Sequence, residues 1–349
     1  MKPVIFGLSG LVLTEDEKRL FREVEPAGYI LFKRNIEDRA QILALTNSLR
    51  ELHGHDLVPI LIDQEGGRVA RMRGPTWPDF PAGAAFDALY DLAPMTAIEA
   101  ARCNAEAIAL TLNEVGINVD CLPVLDVRVP ETHSAIGDRA LGSDPMRVAA
   151  LGRAILDGLA AGGVIGVVKH MPGQGRASVD THHDLPHVTA SEAELEQDLA
   201  PFGALRTAAM GMTGHVVYDV WDAENTATMS RFVIDNIIRE KVGFDGLLMS
   251  DDLDMNALQG DVATRALRCV EAGCDLALNC WGRLDEMVAI ADILPDITEA
   301  ARARLNRAMA VRPVAFDADR LAHLLDKRDS LLALADTSAK LTDGATGAA

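Results

Sequence analysis

Eight short apolar runs recur along this chain, and their spacing restricts its folding more than any other feature. They are VIFGL 4–8, GYILF 28–32, VPILID 58–63, INVDCLPVLDV 117–127, VIGVVKH 164–170, MGMTGHVV 210–217, GLLMSDD 246–252 and CDLALNC 274–280. Several are nearly unbroken in apolar residues, as strands covered on both faces must be. Between many of them lie stretches with Ala and Leu at helical spacing, at 94–116, 144–163 and 262–273, each closed by glycine. Strands alternating with helices in this number predict an α/β chain folded as a (β/α)8 TIM-type barrel. A doubly wound open sheet is the runner-up.

No stretch rich in Pro, Gly or Ser divides the chain, so residues 1–338 are expected to form one barrel domain. Its last part, 297–338, reads as helices that cover the barrel, and the small polar end at 339–349 reads as a fraying tail. With 49% hydrophobic residues but only 4% aromatic ones, the core must be aliphatic. The net charge of -19 repels nucleic acid and anionic membrane at long range but does not exclude a small anionic ligand, since a few local Arg or Lys can dominate inside a cleft. No apolar run approaches the ~18–20 residues of a membrane span. The opening MKPVIFGLSGLVL is broken by glycines and lacks a small-residue cleavage pattern, so it reads as a first strand of a cytoplasmic protein. Cys103, Cys121, Cys269, Cys274 and Cys280 form no CxxC pair and read as buried free thiols in a reducing compartment.

In such barrels the reacting groups sit at the C-terminal ends of the strands. Four of the predicted ends carry acids or bases: Asp63, followed by QEGGRVARMR; Lys169 with His170; His215; and Asp251 with Asp252. A single Asp after a strand usually caps the next helix. Two in succession allow one to cap while the other points into the barrel mouth as a nucleophile. Arg71 and Arg139 have the surface as their ordinary fate. Lys169 and His170 close a buried strand, where solvated charge is a poor explanation. His215 reads first as a satisfied core histidine, with a supporting role as the alternative. The segment KHMPGQGRASVDTHHDLP, 169–186, then places Asp180 two residues before His182, close enough for carboxylate to meet imidazole on a bent loop. Gly173 and Gly175 are expected to make that loop flexible. A metal site built from His170, His182, His183, Asp184 and His187 lacks any HxH or HExxH spacing and is given small weight.

Taken in order, GYILFKRNI, LIDQEGGRVARMR, IGDRALGSDP, KHMPGQGRASVDTHHDLP, MTGHVVY and LLMSDDLDM resemble the family 3 glycoside hydrolases, specifically the NagZ-type bacterial β-N-acetylhexosaminidases. The resemblance spans roughly residues 28–255. It implies Asp251 as nucleophile, His182 as acid/base with Asp180 as its dyad partner, and Asp63, Arg71, Arg139, Lys169 and His170 as sugar-binding residues. It implies no cofactor and no metal. It further implies removal of terminal β-linked N-acetylglucosamine from muropeptide fragments of the GlcNAc-anhydroMurNAc type, in cell-wall recycling. A β-glucosidase of the same family is the nearer alternative and a metal-dependent barrel hydrolase the more distant one. The chain departs from the family's usual pattern at Met171 and Gln174, where a phenylalanine and a second histidine are customary. Gln174 keeps hydrogen-bonding ability but cannot become charged. The oligomeric state is left open.

Overall fold

The computed structural model describes residues 1–179, 185–310 and 314–346, with side chains through Ala335. Each of the eight apolar runs contributes a strand: β1 (Lys2–Gly7), β2 (Pro26–Leu31), β3 (Ile60–Ile62), β4 (Val119–Asp120), β5 (Ile165–Met171), β6 (Met210–Thr213), β7 (Leu247–Asp252) and β8 (Leu276–Asn279). Every pairing among them is parallel and between chain neighbours, and β8 returns to β1 with Val4 opposite Ala277, closing the barrel. The (β/α)8 expectation holds, and the open sheet is excluded by that closure.

Run 117–127 is only briefly a regular strand. Pro123 has no N–H to donate, so beyond Asp120 the chain follows β5 through other bonds: Lys169 N–H donates to the Pro123 carbonyl at 3.1 Å and Leu125 N–H to the Lys169 carbonyl at 2.6 Å.

Two hydrophobic clusters follow from the period of two along a strand. Ile5, Ile30, Leu61, Val119, Val167, Met212, Met249 and Leu278 point into the barrel. Their neighbours Val4, Phe6, Tyr29, Leu31, Ile60, Ile62, Val168 and Leu248 point out against the helices. The barrel floor is plugged by Ile297 and by Ala301, Leu305 and Ala308 of helix Glu299–Ala308. Of the flanking helices, α1 (Pro94–Glu114) and α2 (Pro145–Ala161) fulfil the Ala- and Leu-rich pattern. A third, α3 (Val262–Ala272), begins at Asp261, whose carboxylate accepts the Thr264 N–H. A last helix, α4 (Ala318–Thr346), lies over α1.

Candidate active site

The inward stack of side chains positions the site. Along β3 and its extension the inward sequence is Leu61, Asp63, Glu65; along β5 it is Ile165, Val167, Lys169; along β7 it is Leu247, Met249, Asp251. The apolar layers fill the barrel, and the next inward position on each strand is ionisable. Asp63, Glu65, Lys169 and Asp251 line a cavity of about 350 Å³ at the C-terminal mouth, together with Phe32, Arg71, Arg139, His170, Gln174 and Asp252.

One ionic cluster occupies the wall of that cavity. The Lys169 ammonium lies 3.1 Å from Asp63 Oδ1 and 2.7 Å from Glu65 Oε1. Arg139 meets Glu65 in a two-bond fork, Nε to Oε2 and Nη2 to Oε1, both 2.8 Å. Arg71 Nη2 donates to Asp63 Oδ2 at 2.9 Å. Burial works to raise the Asp63 carboxyl, but Lys169 and Arg71 outweigh it and hold it well below the usual carboxylate range. Glu65 is brought down to about 2, because Arg139 and Lys169 more than offset its burial. Lys169 in turn stays firmly charged: burial would lower it, but Glu65 and Asp63 raise it further. The Arg71 Nε–H is buried without a partner among the described residues.

The turn that brings Arg71 back beside Asp63 depends on glycine. Gly66 has φ 101°, and a Cβ there would lie 2.2 Å from the Pro81 carbonyl oxygen. Gln64, buried behind the turn, accepts the N–H groups of Arg71 and Met72 at 2.9 and 3.0 Å and so fixes the return strand.

On the neighbouring wall, His170 Nδ1 lies 2.7 Å from Asp126 Oδ2, while Asp126 Oδ1 accepts the Gln174 N–H at 2.7 Å. Burial would raise Asp126, but His170 and these backbone donors keep it lowered and ionised. A charged Asp126 calls for a proton on Nδ1, which turns Nε2 of His170 toward other partners. The peptide between Lys169 and His170 is cis.

The opposite wall carries Asp251 and Asp252. Neither caps a helix, since Asp261 does that for α3. Asp251 Oδ1 accepts the Asp252 N–H at 2.8 Å, and Asp252 Oδ1 accepts the N–H groups of Asp254 and Cys280, each at 3.2 Å. Asp252 is raised to about 6, chiefly by burial, with the Asp251 charge adding to it against those donors. His215 is fully buried with both ring nitrogens engaged, as a satisfied core histidine should be.

All five residues expected to bind sugar thus face one cavity with Asp251. Asp180 and His182, the expected acid/base dyad, lie outside the described residues, as do His183 and Asp184. His170 and His187, from the metal alternative, are bound to separate carboxylates, Asp126 and Asp219. The expectation about the glycines in the 171–183 loop needs correction at its beginning. A Cβ on Gly175 would lie 1.8 Å from the Val127 carbonyl oxygen, and one on Gly173 would lie 3.0 Å from Asp198 Cβ. These glycines serve close packing, and Arg176 Nε adds an ion pair to Asp198 at 2.7 Å.

Glu65 and Asp126 were missed in the sequence. Both had a signal: Glu65 is two residues beyond Asp63 and so on the same face, and Asp126 ends an apolar run just as Asp63 does.

Set against known proteins, residues 9–311 match the model of the glycosyl hydrolase family 3 N terminal domain. A β-hexosaminidase of Bordetella avium is 38% identical over 283 residues, covering 80% of each chain. One of Aromatoleum aromaticum is 37% identical over 324 residues, covering 90% of this chain and 89% of its own. Among solved structures, NagZ of Neisseria gonorrhoeae in complex with N-trifluoroacetyl-D-glucosamine superposes with a TM-score of 0.85 at 31% identity, over 96% of this chain and 98% of that one. A closed parallel barrel with acids and bases at its mouth and a family match over most of the length lead to one conclusion: this chain belongs to glycosyl hydrolase family 3 and is a glycoside hydrolase.

Proposed function

We propose that this enzyme is a retaining β-N-acetylglucosaminidase that removes terminal β-linked N-acetylglucosamine from muropeptide fragments, of the GlcNAc-anhydroMurNAc type, in the cytoplasm during cell-wall recycling. The observation that carries this reading is the placement of Asp251 in the same cavity as the Asp63, Lys169, Glu65 and Arg139 cluster. A cavity of about 350 Å³ is at the small end of ligand pockets and suits one sugar ring better than a chain of them. Asp63 offers carboxylate oxygens to sugar hydroxyls, while Lys169 and Arg71 offer donors and His170 presents its Nε2. The names of the relatives, and the glucosamine derivative held by the gonococcal protein, favour a hexosamine as that sugar.

Retaining hydrolysis needs a nucleophile on one face of the ring and a proton donor at the leaving oxygen. Asp251 attacks the anomeric carbon and forms a covalent glycosyl-enzyme. Protonated His182, held by Asp180, gives its proton to the leaving sugar and then, as the neutral ring, takes one from water. An imidazole has the right proton affinity for both steps without deep burial. Release of aryl alcohol from an aryl β-N-acetylglucosaminide tests the reading. Asp251→Ala is expected to lose roughly a thousandfold or more in kcat while keeping its fold. Normal turnover by that variant removes Asp251 as nucleophile, and faster turnover of the matching aryl β-glucoside by the wild type moves the enzyme to the β-glucosidases.

A further inference from the structure

The proposed nucleophile hangs on a residue that the reaction scheme does not use. Asp251 holds its carboxylate against the N–H of Asp252, at 2.8 Å. Asp252 is therefore the mount on which the nucleophile is aimed. Its carbonyl oxygen receives a hydrogen bond from outside its own strand, from His215 Nε2 at 2.9 Å. His215 lies just past the end of β6, the neighbour of β7 in the barrel, and is fully buried.

The proton positions in this arrangement follow from valence. A peptide carbonyl can only accept, so Nε2 must carry the hydrogen. Nδ1 of the neutral ring that burial favours is an acceptor for the Thr228 hydroxyl 2.8 Å away, which has the Gly214 carbonyl at 3.2 Å as its second acceptor. With its own proton so used, Thr228 accepts from the Thr213 hydroxyl, also at 2.8 Å. In the relay Thr213, Thr228, His215, Asp252 the Nε2–H bond to the Asp252 carbonyl is fixed by valence, and burial, which holds His215 below its ordinary proton affinity, favours the neutral ring. The relay ties the end of β6 to the residue that orients the nucleophile.

We propose that His215 is a positioning residue for Asp251: its Nε2–H fixes the Asp252 carbonyl and, through the backbone of Asp252, the N–H that directs the attacking carboxylate. This rests on the assignment of Asp251 as nucleophile. A buried histidine kept only for packing would affect stability. One that aims the nucleophile must affect the rate at which the covalent sugar bond forms, with sugar binding preserved, because displacement of a reacting atom by a fraction of an ångström is costly in rate.

Three variants separate these roles. His215→Phe keeps a ring but removes both nitrogens. His215→Gln can return an N–H to the Asp252 carbonyl. Thr228→Val leaves the histidine in place but removes the hydroxyl bonded to its Nδ1. Each is treated with a 5-fluoro β-N-acetylglucosaminyl fluoride, which forms a slowly hydrolysed adduct on the nucleophile. Labelling rate at saturation is followed by intact mass and the labelled residue is found by peptide mapping, with the affinity for free N-acetylglucosamine measured in parallel. The expected result is labelling slowed about tenfold or more in His215→Phe, with a smaller loss in Thr228→Val and substantial recovery in His215→Gln. Affinity for the free sugar stays within about twofold in all of them. Label on Asp251 at wild-type rate in folded His215→Phe overturns the proposal. If that variant does not fold, an unchanged rate in Thr228→Val overturns it instead. Label on a residue other than Asp251 in the wild type removes the nucleophile assignment, and this proposal with it.

Discussion

Two aspartates on adjoining strands, Asp63 half-buried and Asp120 fully buried, illustrate how much a carboxylate depends on its partners. Asp63 faces two cations and stays ionised, while Asp120 has one backbone donor, the Gln64 N–H at 2.9 Å, and a second oxygen buried without a partner among the described residues. Burial raises Asp120 to about 8, only partly offset by that donor and by Lys169. The sign of its effect on stability follows. Between the ordinary value near 3.8 and about 8 the folded protein keeps a proton that the unfolded chain releases, so this group costs stability as pH rises through that window. The slope is about 1.4 kcal/mol per pH unit for one full proton. Asp120→Asn has no proton to hold. Its melting temperature relative to the wild type is therefore expected to climb from pH 5 to pH 8 and then level off, and a constant difference across that range contradicts the account. At this scale placement at the barrel mouth was legible where an apolar run ended in charge, as at Asp63, Lys169 and Asp251. It was read poorly where partners decided the matter. Asp126 satisfied the same rule but was passed over inside a longer run, and nothing local distinguishes Arg139 forked to Glu65 from an arginine in solvent.

Among the elements, α1 shows what its composition conceals. Its Ala-rich sequence predicted a helix at 94–116, and the helix is there. What the pattern did not reveal is that α1 is buried around much of its circumference, between α2 on one side and α4 on another. The small residues that looked like helix propensity form a seam of close approach. On α2 a Cβ at Gly158 would lie 2.3 Å from the Arg102 carbonyl oxygen, and one at Gly162, just past its end, would lie 2.4 Å from Ala109 Cβ. Gly158→Val is expected to push the two helices apart at a cost of about 1–3 kcal/mol, lowering the melting temperature by several degrees. Since neither helix lines the cavity, kcat of the folded fraction should stay near the wild-type value; a fall in kcat with an unchanged melting temperature contradicts this. Gly173 and Gly175 teach the same lesson. Glycine in a sequence signals either freedom or proximity, and only the neighbouring chain tells which.

The barrel as a whole was legible because its rule is global: eight buried runs, each separated by a helical stretch, leave few other ways to cover every strand. The helical cover at 297–338 was legible too, but not which helix its last part would lie against. Beside α1, α4 supplies Leu321, Leu324 and Leu325 to the outer core, and its Arg320 binds Glu106 through Nε at 2.7 Å. Arg328 reaches Asn104 Oδ1 at 3.2 Å, and Lys327 pairs with Glu99. Residues 318–346 are thus the outer wall of an interior helix. Removing them should expose α1, lowering the melting temperature by more than about 10 °C or preventing folding, whereas an unchanged melt shows that α1 is held without them. The inward stacking has a last consequence. Leu61 beneath Asp63, Val167 beneath Lys169 and Met249 beneath Asp251 make the reactive ring the top course of the same masonry that fills the barrel. A slip of one strand by a single residue would turn its apolar column outward and carry its charged group out of the mouth together. Evolution can therefore redecorate the rim of this enzyme through its loops, but its charged ring has no existence apart from the alignment of the strands.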